Sequence, residues 1–170
     1  NDREVRGRKE ASGTEDGYTG DTYCKRCEEF LESGEVIPKA YAVVNDAVTG
    51  TGELQFNYIG TWAAGTGTEN CYEGDNHWSD TTDAALEFKF RGASVKFYSQ
   101  KGNNLGYAGF SIDGGEEEKI NMYQANKQDQ VLIYQSHDLQ PGEHTLRVRV
   151  TGENGAGPGT NVVVADRIEV

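Results

Sequence analysis

The run YEGDNHWSD, residues 72–80, sets His77 beside Trp78, one of two tryptophans, among Tyr72, Asp75, Asn76 and Asp80. Side chains of these types serve three ends: catalysis, sugar binding, or plugging the end of a packed sandwich. Catalysis fares worst. Cleavage of a glycosidic bond needs two carboxyl groups facing each other about 5 to 9.5 Å apart. The chain has 28 acidic residues, but they lie mostly on alternating strand faces or in runs such as Glu116, Glu117 and Glu118, which read as a solvated turn. His77, His137 and His144 stand without a serine elbow or a His-Glu-x-x-His pattern, and His144 in PGEHTLRV opens a strand.

Sugar binding asks for a flat aromatic face against the C–H side of a pyranose, beside amides or carboxylates that pair with its hydroxyls. Tyr72, Asp75, Asn76, His77 and Trp78 supply those types within seven positions. Trp62, in IGTWAAGTGTEN, opens a neighbouring glycine-rich loop, and Tyr107 and Tyr123 offer further aromatic surface. The amide-rich YQANKQDQ, residues 123–130, can hydrogen-bond hydroxyls without carrying charge. Against this stands packing: HWSD directly precedes the strand AALEFKF, so Trp78 can turn inward to cap a core while His77 bonds a backbone carbonyl. On this reading YEGDNHWSD is a loop leading into a strand, and the direction of the Trp78 indole decides between platform and plug.

The elements that must hold these residues are strands. From about residue 41, apolar and charged residues alternate: Leu86, Phe88 and Phe90 with Glu87 and Lys89, and Leu146, Val148 and Val150 with Arg147 and Arg149. A period of two is the mark of half-buried antiparallel strands. Asp113, Gly114 and Gly115 supply one hairpin turn and Pro141 with Gly142 another. Some eight strand-length runs, the last being NVVVADRIEV, predict an all-β fold of two packed antiparallel sheets, a β-sandwich. Twenty-two glycines against three prolines suit such a turn-rich fold.

Residues 1–40 differ. They are polar, rich in turns, and hold the Cys-x-x-Cys of Cys24 and Cys27; they predict a small β-hairpin-like appendage, so the domains are a leader, 1–40, and a sandwich, 41–170. DGYTGDTYC reads as a hairpin, CEEFLESG as one helical turn, and ESGEVIP as a turn into a strand stopped at Pro38. Three cysteines cannot close a full disulfide framework. Cys24 and Cys27 can bridge locally, remain free thiols, or give half of a four-ligand zinc site whose other half is missing; a bridge from Cys71 to one of them would staple leader to sandwich.

A formal net charge of -12 repels phosphate backbones and anionic lipids, which argues against nucleic acid and membrane surfaces. No segment approaches the ~18 apolar residues that cross a bilayer. The opening NDREVRGRKE is expected to follow a longer N-terminal part.

The order GTW, YEGDNHWSD, AALEFKFRGASVKFYSQKG, AGFSIDGGEEEKINMYQANKQDQVLIYQSHDLQPGEHTLRVRVTG and VVVADRIEV resembles the galactose-binding-domain-like jelly-roll modules of secreted bacterial glycoside hydrolases, over residues 41–170. The leader is similar to small repeat segments of surface proteins in gut Firmicutes, departing from them at Gly13, where a cysteine is usual, and at Glu28, where glycine is usual. The resemblance implies a non-catalytic carbohydrate-binding module of a gut bacterium, secreted or on the cell surface, joined to a catalytic domain in the same parent chain. Its partner would be a glycan of host mucin or dietary polysaccharide, of galactose or N-acetylhexosamine type. It also implies a structural calcium ion tying the first strand to the last, a placement that Asp46 and Asp166 match. The alternative is a structural spacer or protein-docking sandwich with no sugar site.

Overall fold

The computed structural model describes residues 3–9, 16–37 and 42–170. Gly13, Pro38 and Tyr41 lie outside the described residues. The chain divides into two units, residues 1–41 and 42–170.

In the first unit β1 (Arg3–Arg6), β3 (Asp21–Cys24) and β4 (Phe30–Glu32) form one antiparallel sheet, and β2 (Gly17–Tyr18) pairs with β5 (Val36–Ile37). Two readings are corrected here. DGYTGDTYC is not a hairpin, because β2 and β3 belong to different sheets. CEEFLESG forms a strand rather than a helical turn: Phe30 pairs with Tyr23 and meets its ring edge-on at 5.8 Å, a contact a helical turn would forgo.

The second unit is an antiparallel β-sandwich. One sheet has the order β13 (Glu118–Asn121), β12 (Tyr107–Ile112), β15 (Gly142–Val150), β10 (Ala85–Gly92), β7 (Phe56–Ile59). The other runs β14 (Gln128–Gln135), β11 (Lys96–Lys101), β17 (Arg167–Glu169), β6 (Val43–Asn45). A smaller sheet sets β9 (Asp75–Ser79) between β16 (Val163–Ala165) and β8 (Ala63–Thr66). The inward residues are those the alternation marks: Leu86, Phe88, Phe90, Leu146, Val148 and Val150 are all buried, and meet Phe97 and Ile168 of the opposite sheet in one core. Phe97 and Phe110 join the sheets edge to face at 5.4 Å. Each such side chain stabilises by about 1.5–3 kcal/mol on burial.

The outer face of the five-stranded sheet is neutralised by itself. Arg147 donates to Glu87 at 2.8 Å, and Arg149 grips both carboxylate oxygens of Glu117 and reaches Asp83. Gly109 leaves room for that carboxylate, since a Cβ would stand 2.3 Å from the Glu117 carboxyl carbon and would displace it. The acidic run is therefore only partly a solvated turn: Glu116 and Glu118 are exposed, while Glu117 is anchored.

In the connection between β12 and β13, Asp113 and Gly114 have left-handed φ of 53° and 70°, and the Gly115 N–H closes the turn on the Ile112 carbonyl at 2.9 Å. Asp113 also holds the start of β15, accepting from the Thr145 N–H and lying 2.7 Å from His144 Nδ1. Burial would lower the His144 pKa, but the Asp113 hydrogen bond, the Gln140 carbonyl and the Asp113 charge outweigh it and raise it. Burial would raise Asp113, but His144 and the Thr145 N–H lower it. The histidine's share of stability is full below its unfolded value of 6.5 and is lost as pH rises through the higher folded value; the aspartate's is present above 3.8 and is lost as pH falls through the lower one. The wild type should therefore exceed His144→Gln by up to about 1 kcal/mol near pH ~5.5 and by less near pH ~8.5 in urea melts, the pair being partly exposed. An equal gap at both pH values would contradict the pairing.

Candidate functional site

YEGDNHWSD is not a loop. Tyr72–Gly74 make a 3-10 turn, and β9 begins at Asp75 as the central strand of its sheet. A central strand forces alternation, so the cluster is split: Asn76 and Trp78 point to one side, Asp75 and His77 to the other.

On the Asn76 side lies an open cleft of about 190 Å³, lined by Asn76, Trp78, Gln100, Asn104, Val162 and Val164. Trp78 is paired with Val164 and Ala63, and is 39 % exposed. The indole thus faces solvent and does not plug the core. Asn76 is buried, its amide N–H directed to the Cys71 sulfur at 3.4 Å. Gly65 opposite it leaves the room: a Cβ there would lie 2.5 Å from Asn76 Oδ1. Gln100 Oε1 is buried and lacks a hydrogen-bond donor. The cleft therefore presents an aromatic plate, three amides and two valines, with no ionisable group among its lining residues.

On the other side, His77 stacks on Tyr58 with centroids 4.5 Å apart, and its Nδ1 lies 2.5 Å from Asp46 Oδ2. Tyr58 donates to the Asp46 carbonyl and packs against Trp62, whose indole N–H goes to the Ala85 carbonyl at 3.0 Å. Trp62 is thus a half-buried prop for the His77 stack and does not line the Trp78 cleft.

Beneath His77 sits an acidic cluster. Asp46 follows β6, and Asp166 occupies the one-residue break between β16 and β17, where its carbonyl accepts the Asp46 N–H at 2.9 Å. Both carboxyls are buried, at 0 % and 1 % exposure. Burial, then the charges of Asp75 and Asp166, push Asp46 up to about 8. Burial, joined by Asp129 and Asp75 and opposed by the Tyr72 N–H and Arg167, pushes Asp166 up to about 6. Asp46 Oδ1, Asp166 Oδ2 and Asn45 Oδ1 are buried acceptors with no donor. Buried hard oxygen atoms without donors are what Ca²⁺, which takes six to eight oxygens, would satisfy. Among the described residues no three His, Cys, Asp or Glu side chains converge as a metal site, so a calcium ion held by Asp46 and Asp166 would draw its other oxygens from Asn45, carbonyls or water.

The remaining residues singled out in the sequence are dispersed. Tyr72 lies under Arg167, whose guanidinium also covers the Tyr98 ring at 4.0 Å, and its N–H donates to Asp166. Tyr107 starts β12 and binds the loop at 151–153 through its backbone. Tyr123 follows β13, its N–H held by Asn121. Neither lines the Trp78 cleft. Gln100, Asn104, Val162 and Val164 carry no signal of their own in the sequence; they reach Trp78 through long-range pairing, including the Leu105–Val162 bridge.

The carbohydrate esterase 2 N-terminal family model matches residues 72–162, just over half of the chain. The chain belongs to this family. It is thus a β-rich domain associated with carbohydrate-active enzymes. It is 28% identical over 117 residues, 69% of its length, to an A type blood alpha-D-galactosamine galactosaminidase of Flavonifractor plautii. It is 29% identical over 91 residues, 54% of its length, to an A type blood N-acetyl-alpha-D-galactosamine deacetylase of the same organism. It spans about a tenth of each, 10% and 12%. Among solved structures it is similar in fold to the Agl-KA catalytic domain, with a TM-score of 0.51 and 10% identity over 77% of this chain and 27% of that one. A Paenibacillus xanthan lyase matches with a TM-score of 0.50 and 19% identity, over 67% of this chain and 12% of that one.

If calcium seals the acidic cluster, millimolar calcium should raise the melting temperature by several degrees and a chelator should remove the gain, while Asp166→Asn should lose the response. An unchanged melting temperature would contradict the assignment of Asp46 and Asp166.

Proposed function

We propose that this CE2 N-terminal-family domain is a non-catalytic carbohydrate-binding module that holds a glycan-active enzyme against its substrate. The observation that carries the reading is the solvent-facing Trp78 indole in a cleft whose polar groups are amides. An indole plate takes the C–H face of a pyranose, and amides pair with hydroxyls in either direction, donor or acceptor. Asn76 shapes the cleft floor, and Gln100 and Asn104 supply the ligand bonds.

The ligand class is a neutral galactose or N-acetylhexosamine unit of a mucin-type or dietary glycan, as for galactose-binding-domain-like modules. The two blood-group relatives, whose names specify galactosamine and N-acetylgalactosamine, support that class. The cleft is shallow and open to water, so affinity should be weak, on the order of 10 μM to 1 mM. A second contact of this strength raises the local concentration of a linked catalytic domain at its substrate. Such a role belongs to a secreted or surface-attached parent, with a calcium ion under His77 keeping β6 and β17 in place.

Binding to a panel of neutral oligosaccharides, followed by calorimetry with the best ligand, tests this directly. Trp78→Ala should weaken binding at least ~10-fold, about 1.4 kcal/mol, with the melting temperature kept, since the side chain contributes little to the core. Undiminished binding by Trp78→Ala, or no glycan bound by the wild type, would leave a spacer or protein-docking role instead.

A further inference from the structure

The leader holds a pair of nucleophilic side chains that sugar binding does not use. β3 ends on Cys24, and the chain returns at once: the Cys24 N–H donates to the Glu29 carbonyl at 2.9 Å, and the Glu28 N–H to the Cys24 carbonyl at 2.8 Å. The return needs a left-handed residue, supplied by Glu28 at φ 58°. The turn sets Cys24 and Cys27 at the two ends of one tight connection, with Lys25 and Arg26 between them. The Cys27 thiol further reaches Glu29 Oε2 at 3.7 Å. Both cysteines are free; Cys24 is half-buried and Cys27 exposed.

This arrangement separates the two thiols. The neighbouring Cys27 thiol and the backbone N–H groups of Cys27 and Arg26 favour the Cys24 thiolate and lower its pKa. The neighbouring Cys24 thiol raises that of Cys27. A tetrahedral zinc site would need two more ligands, and among the described residues no three His, Cys, Asp or Glu side chains converge as a metal site.

We propose that Cys24 and Cys27 form a reversible dithiol–disulfide site that exchanges with small-molecule disulfides, with Cys24 attacking and Cys27 resolving. In the first step the Cys24 thiolate attacks one sulfur of the oxidant RSSR, forming a mixed disulfide and releasing RS⁻. In the second, the Cys27 thiol passes its proton to solvent by way of Glu29, and its sulfur attacks the Cys24 sulfur and expels the second RS⁻. The protein dithiol is oxidised and the small disulfide reduced to two thiols. Closure ties Cys24 to Cys27 across the turn and fixes the β3–β4 connection.

The full chain is equilibrated with glutathione and glutathione disulfide at graded ratios, quenched in acid, denatured and alkylated for intact-mass analysis. Labelled thiols should fall from three to one as the share of glutathione disulfide rises, with the loss of two hydrogens, and a reductant should restore all three. Cys27→Ser should stop at one glutathione on Cys24, and Cys24→Ser should react at least ~10-fold more slowly. Three labelled thiols at every ratio, a glutathione adduct on wild-type Cys24 that Cys27 fails to resolve, or covalent dimers would overturn the proposal. So would stoichiometric zinc, without oxidation, shielding both thiols from alkylation.

Discussion

A buried electrostatic strain sits where the first and last strands of the sandwich meet. NVVVADRIEV is not one strand but two, and the break falls on Asp166, so that β16 joins the sheet of β9 while β17 joins that of β6 and β11. The break turns a carboxyl inward against Asp46, with Asp75 and Asp129 close enough to repel it. Two buried carboxylates of like charge would drive β6 and β17 apart unless they bind a proton or a cation. The edge of the fold and the support of β9 are set by the same few groups.

From that point the rest of the site follows mechanically. Asp46 holds His77, His77 stacks on Tyr58, and Tyr58 leans on Trp62. This chain of contacts fixes one face of β9, and alternation along the strand then fixes the other, where Asn76 and Trp78 meet the cleft. Residues that looked like one chemical cluster are two layers: acids and imidazole below support an indole and amides above. The ionisable groups lie on the side of Asp46, and the neutral ones line the cleft.

Much of the fold was legible because burial imposes a period of two on each strand, as in Leu86–Phe88–Phe90 and Leu146–Val148–Val150. The resemblance set Asp46 near the first strand and Asp166 near the last, but their burial left no mark in the sequence. What escaped was whatever depends on pairing between distant segments. YEGDNHWSD lacks apolar alternation because one face of β9 is lined by acids and the other by a wet cleft, so a strand read as a loop. Gln100, Asn104 and Val162 reach Trp78 only through pairing of segments far apart in sequence, which no local pattern encodes. The helical reading of CEEFLESG failed because the Tyr23–Phe30 contact outweighed its weak local preference.

The central claim, that the Trp78 cleft is the ligand-binding surface, is tested most directly by titrating an isotopically labelled sample with a neutral N-acetylhexosamine-containing oligosaccharide. The Trp78 indole N–H and the side-chain amides of Gln100 and Asn104 should shift together and saturably, while the Tyr107 and Tyr123 amides stay in place. Shifts centred on Tyr107 and Tyr123, with Trp78 unmoved, would contradict the account.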